Sequence, residues 1–135
     1  MATEEVVYLS FDDALLLRFS LMWLYGETRF GMFEPDLVES ALARPRHAAV
    51  YEGADIIRQA ATLCFGLIKN HPWVGGNKRT ATAIADEFLL RNGYVVSATL
   101  GETAKLALAV ESNRFGVDEV EAWYRQPTTF IGRPK

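Results

Sequence analysis

At 135 residues, half of them hydrophobic, the chain can fill one core but hardly two, and its net charge of −3 gives no global basis for gripping nucleic acid or an anionic membrane. The lone Cys64 excludes an intramolecular disulfide, and with His47 and His71 as the only histidines no Cys/His zinc cluster can be assembled. Acids in Met1–Leu9 stand where a signal peptide needs a basic region, and no apolar run reaches the ~18 residues of a membrane span, so a cytoplasmic protein without DNA or membrane contacts is expected.

Ser10 followed by Asp13 resembles a capping box, and Ala14, Leu15, Leu17, Leu21 and Leu24 recur at helical spacing, which predicts a first helix over Phe11–Tyr25 closed by Gly26. Pro35 suits the first position of a short second helix that ends before Arg44-Pro45. A third helix is expected from about Ala54 to Asn70, with Ile56, Ala60, Leu63, Cys64 and Leu67 on a broad apolar stripe that makes it the most buried. After Pro72, Gly75 and Gly76, the helical pattern resumes at Asn77 and runs to a left-handed cap at Asn92-Gly93. Tyr94–Val96 is too short to form a sheet alone and reads as an extended connector. Two more helices fit Glu102–Asn113 and Val117–Arg125, the latter with Val120 and Trp123 or Tyr124 inside, and residues 126–135 read as a tail. The fold class is therefore an all-α single domain over residues 1–135.

The chemistry lies in His71-Pro72-Trp73-Val74-Gly75-Gly76-Asn77-Lys78-Arg79-Thr80-Ala81, between the two apolar helices. A helix starting near Asn77 points unpaired N–H groups and the positive end of its dipole back into the loop. Gly75 and Gly76 allow close backbone approach, Asn77 can cap the helix or hold a phosphate oxygen, and Lys78 and Arg79 add two cations. Phosphate or polyphosphate is the implied ligand, and His71 at the far end of the loop is a candidate general base. The plain alternative is a chain turn with a solvated Lys78, Arg79 and His71.

The full string resembles the Fic/Doc signature: histidine, spacer, aromatic, spacer, acid, small residue, Asn and a basic pair. His71, Trp73, Gly76, Asn77, Lys78 and Arg79 match it, and a chance match at those places is on the order of 10⁻⁶. Lysine after Asn77, Thr82 in place of a second arginine and the short length favour the Doc (death on curing) branch of type II toxin–antitoxin systems. The resemblance implies a compact bundle of about six helices with a short flap before the central helix. It implies a protein kinase that uses ATP and Mg²⁺ to move the γ-phosphoryl group onto a threonine of elongation factor Tu, blocking translation. His71 would be the base, with Lys78 and Arg79 also catalytic, and Gly76, Asn77, Lys78 and Arg79 would hold the nucleotide. The implied partner is a cognate antitoxin whose C-terminal segment folds as a helix in a surface groove. In the family the matching region Arg44–Tyr51 docks the target by strand addition, which assigns Arg46, His47, Ala48, Ala49 and Val50 to the flap. AMP transfer to a protein hydroxyl and an inactive antitoxin-binding homologue are the alternatives.

One position departs from the signature. Where the family carries an acid that helps hold magnesium, this chain has Gly75, so activity is expected to be reduced or lost and magnesium binding weakened. Either another acid such as Asp86 or Glu87 serves the metal, or Gly75 is an inactivating change from Asp. Elsewhere, Cys64 is expected to be a core residue without redox function, and Trp73 is expected to pack beneath the loop and orient His71. Trp23, Tyr25, Phe30 and Phe33 read as core or partner surface.

Overall fold

The structure, a computed structural model, describes residues 5–133. Six helices follow in chain order: α1 Phe11–Tyr25, α2 Pro35–Glu52, α3 Ile56–Asn70, α4 Asn77–Arg91, α5 Leu100–Glu111 and α6 Val117–Arg125. Two short strands, β1 Tyr94–Val96 and β2 Thr128–Phe130, complete the fold. The Ser10–Asp13 capping box and a left-handed Gly26 bound α1 as the sequence predicts. Helix α3 is the hub, packed against α2, α4, α5 and α6. Ala60, Ala61, Leu63, Cys64 and Leu67 along it are almost completely buried. Together with Ile84, Ala85, Phe88 and Leu89 of α4 and Leu106, Val110, Val120 and Tyr124 of the last two helices they make one continuous core. Tyr124, not Trp123, is the inward aromatic of α6.

Three expectations are corrected. Helix α2 does not stop before Arg44-Pro45 but continues to Glu52 with Pro45 inside it. An interior proline costs ~3 kcal/mol in lost hydrogen bonding and ring clash. Here Val38, Ala41, Pro45 and Ala48 are all buried on one face of α2, which is laid along α3, and that burial offsets the local cost. Consequently Arg46, His47, Ala48, Ala49 and Val50 are not a flap. They lie in the last turns of a helix, where backbone groups are spent on intrahelical bonds and cannot add a strand. The tail is also partly structured: β2 pairs antiparallel with β1, Tyr94 opposite Phe130 and Val96 opposite Thr128. Ile131 N–H then donates to the Gly93 carbonyl at 2.7 Å. Residues 134 and 135 of the predicted tail, and residues 1–4 of the N-terminal stretch, lie outside the described residues. No helix among the described residues is long and apolar enough to cross a membrane.

Candidate functional site

The loop between α3 and α4 is shaped by three backbone positions in the left-handed region. His71 caps α3 with φ 53°, and Gly75 and Gly76 follow with φ 72° and 65°. Histidine tolerates this region better than bulky or β-branched residues, and glycine enters it without steric cost. The turn takes His71 off the end of α3 into solvent and reverses the chain so that α4 starts facing it.

Asn77 holds the turn closed. It is buried, its Oδ1 accepts from the Trp73 N–H at 2.9 Å and its Nδ2 donates to the Trp73 carbonyl at 2.8 Å. Its side chain is thus committed to the loop, and Gly76 is the N-cap residue. The first helical bond runs from Thr80 N–H to the Gly76 carbonyl, so the amides of Asn77, Lys78 and Arg79 precede it and point out of the helix end. Trp73 is the anchor beneath: it is 4% exposed, packs against Phe33 and forms an isolated antiparallel bridge with it.

Arg18 of α1 reaches under the loop and was not singled out from the sequence. It is 5% exposed, donates to Thr80 Oγ1 and the Val74 carbonyl, both at 3.1 Å, and lies over the Trp73 ring. Burial lowers its pKa; Glu27 opposes that shift, and Arg79 and Arg29 add to it. A Cβ on Gly76 would stand 3.0 Å from Arg18 Nη1, so a side chain there would press on the guanidinium in addition to the strain of φ 65°. A sequence signal did exist: Arg18 sits at helical spacing between Ala14 and Met22, the other two buried residues of α1.

A cleft of about 510 Å³ opens above the loop. One wall is His71, Gly75, Gly76, Asn77, Lys78, Arg79 and Thr82, which brings together all the residues assigned to phosphate and base chemistry. The facing wall is a single stripe of α5: Leu100, Thr103, Ala104, Ala107 and Glu111. Tyr25 closes a third side, with the Arg79 guanidinium 3.7 Å from its ring centroid. Across the Gly75–Gly76 ridge lies a smaller recess of about 300 Å³, lined in part by Arg18, Glu27 and Thr80. The chain beside the loop in extended form is the α1–α2 connection: Phe33 bridges Trp73 and Glu34 N–H donates to the Pro72 carbonyl at 2.9 Å.

The carboxylates do not assemble around this cleft. No group of three or more His, Cys, Asp or Glu able to hold a metal occurs among the described residues. Glu111 is the one acid of the cleft lining, and its Oε1 is 3.0 Å from Lys78 Nζ. Asp86 does not line the cleft; it interacts with Cys64 and Tyr124 in the core, and burial pushes its carboxyl up to about 6. Glu87 pairs with Arg91 at 2.8 Å. Neither replaces the acid absent at Gly75, and the residues present do not fit a resident magnesium ion. Cys64 is fully buried with its thiol pushed up to about 12 by burial, an inert core group.

A helix N-terminus, two glycines, a lysine and an arginine supply N–H donors and positive charge to one cleft, an arrangement able to receive an anion, with an imidazole at the rim. A sequence model of the Fic/DOC family matches residues 8–89. A protein described as Toxin Doc from Mycolicibacterium smegmatis (strain ATCC 700084 / mc(2)155) is 46% identical over 66 residues, a match covering 46% of this chain and 49% of that protein. The match thus spans about half the length of this curated relative.

Proposed function

The chain belongs to the Fic/DOC family, and on that premise we propose that it is a Doc-like toxin whose cleft receives the phosphates of ATP and passes the γ-phosphoryl group to a threonine of elongation factor Tu. The observation that carries the proposal is the placement of His71 and the N-terminus of α4, with Lys78 and Arg79, on one cleft. The backbone amides at the start of α4 and the two cations bind and orient the phosphates. His71 at the rim accepts the proton of the attacking hydroxyl as the new oxygen–phosphorus bond forms and the bond to the β-phosphate breaks, releasing ADP. Asn77 and Trp73 act by fixing the loop. The extended chain before Glu34, next to Pro72, is the edge to which a target segment can add, in place of the helical residues 46–50.

Gly75 removes the acid that the family motif supplies, so the chain as it stands is proposed to be a weak phosphotransferase. That same residue favours a second reading, an inactive homologue that keeps the fold and the antitoxin contact. The partner would be a cognate antitoxin docking a helix on the surface. Incubation of elongation factor Tu with α- or γ-labelled ATP separates the readings. Label from the γ position supports phosphorylation, and label from the α position assigns AMP transfer. ATP binding without transfer assigns the inactive homologue, and absence of ATP binding refutes the proposal.

A further inference from the structure

Glu111 stands in an unexpected place for an anion receptor. The rest of the α5 stripe is neutral, and Thr103, Ala104 and Ala107 leave the cleft open, yet the stripe ends in a carboxylate 3.0 Å from Lys78 Nζ. Among the described residues Glu111 has no second cation within 4 Å, and both partners are partly exposed, 38% for Glu111 and 44% for Lys78. Such a pair is worth at most ~1 kcal/mol and exchanges readily.

A phosphate entering at the α4 N-terminus seeks the same ammonium group and brings a second anion beside Glu111. We infer that Glu111 is a specificity-determining residue of the cleft, an internal anion that competes with the ligand for Lys78 and penalises ligands in proportion to their phosphate charge. The inference rests on the phosphate reading of this cleft. It makes Lys78 available only in exchange for a bound phosphate, and it weakens polyphosphates more than monophosphates.

Calorimetric titration of the full chain with ATP, AMP and inorganic tripolyphosphate tests it. In Glu111→Gln, ATP and tripolyphosphate should bind about three- to tenfold more tightly and AMP less than about twofold. In a Lys78→Met background the Glu111→Gln gain should fall below about twofold, because the ammonium group under competition is gone. Equal ATP affinity in the parent chain and Glu111→Gln, or a gain unchanged by Lys78→Met, overturns the inference while leaving the nucleotide reading intact. If tripolyphosphate shows the gain and ATP binds neither protein, Glu111 is confirmed as the competitor and the nucleotide reading falls. If no probe binds either protein, both fall.

Discussion

Restoring a carboxylate at Gly75 is the sharpest perturbation the site allows. A Cβ there meets nothing within 4 Å, so space is not an obstacle, and the strain is confined to φ 72°. A left-handed residue costs ~1–2 kcal/mol, less for Asp than for most, and an anion at a helix N-terminus returns ~0.3–1 kcal/mol. The net stability change should therefore stay within about 1 kcal/mol, a Tm shift of less than about 5 °C. Phosphoryl transfer depends on neutralising charge in place, and an added ligand of this kind is worth ~3–5 kcal/mol of barrier, a rate increase of about 10²- to 10⁴-fold. The assay is transfer of γ-labelled phosphate to elongation factor Tu in magnesium, together with growth arrest on induction. Gly75→Asn is the control, since it tolerates the same backbone and lacks the charge. If Gly75→Asp folds normally and is no faster and no more toxic than Gly75→Asn, the assignment of lost activity to the missing carboxylate is refuted.

Asn77→Ala should destabilise the chain by ~2–4 kcal/mol in urea unfolding, because it leaves a buried N–H and carbonyl of Trp73 unpaired at once; a loss below about 0.5 kcal/mol would show that the clasp is dispensable. Asp86 has its folded pKa raised from 3.8 to about 6 by burial, so the native state holds the extra proton and stability falls as pH rises between roughly 4 and 6. Asp86→Asn should remove that slope and add up to ~3 kcal/mol at pH 7, read from Tm against pH; parallel curves for the two proteins would contradict it. Truncation after Gln126 removes β2, exposes the Tyr94 ring now 5.0 Å from Phe130, and should cost ~1–3 kcal/mol, whereas an unchanged Tm would mean the segment behaves as the free tail read from sequence.

Helices with a capping signal and a clear apolar stripe were legible residue by residue. The capping box at Ser10 and Asp13 fixed the start of α1, and the stripe through Leu63, Cys64 and Leu67 identified α3 as the buried one. The loop was legible because its chemistry is local: glycines, Asn77 and the basic pair are contiguous, and the helix that follows supplies the rest. What failed was decided by distant partners. Pro45 breaks a helix in isolation, and only the face it buries against α3 shows why α2 continues. Thr128–Phe130 is β-branched and aromatic but too short to stand as a strand alone, and only its pairing with Tyr94–Val96 across the intervening helices makes it one. The second wall of the cleft was invisible for the same reason, since Thr103, Ala104, Ala107 and Glu111 read as one ordinary amphipathic face until α5 is laid opposite α4.

The acidic balance of the chain and the cations beside the loop are reconciled by how five of the arginines are held. Arg58 faces Glu52, Asp118 and Glu121, Arg91 faces Asp13 and Glu87, and Arg125 faces Asp55 and Glu121, so their charge is neutralised by carboxylates within 4 Å. Arg18 and Arg79 have no such partner among the described residues; Trp73, Thr80 and a carbonyl hold the first, and the Tyr25 ring holds the second. An aromatic face orients a guanidinium without cancelling its charge. Of the two, Arg18 is buried beneath the loop and lines only the smaller recess, whereas Arg79 lines the cleft and keeps its positive field there, so a net charge of −3 is compatible with the proposed phosphate site. Lys78 is the exception, since Glu111 neutralises it in the free protein, and affinity for phosphate should accordingly respond more to the acid of α5 than to any change in the global charge.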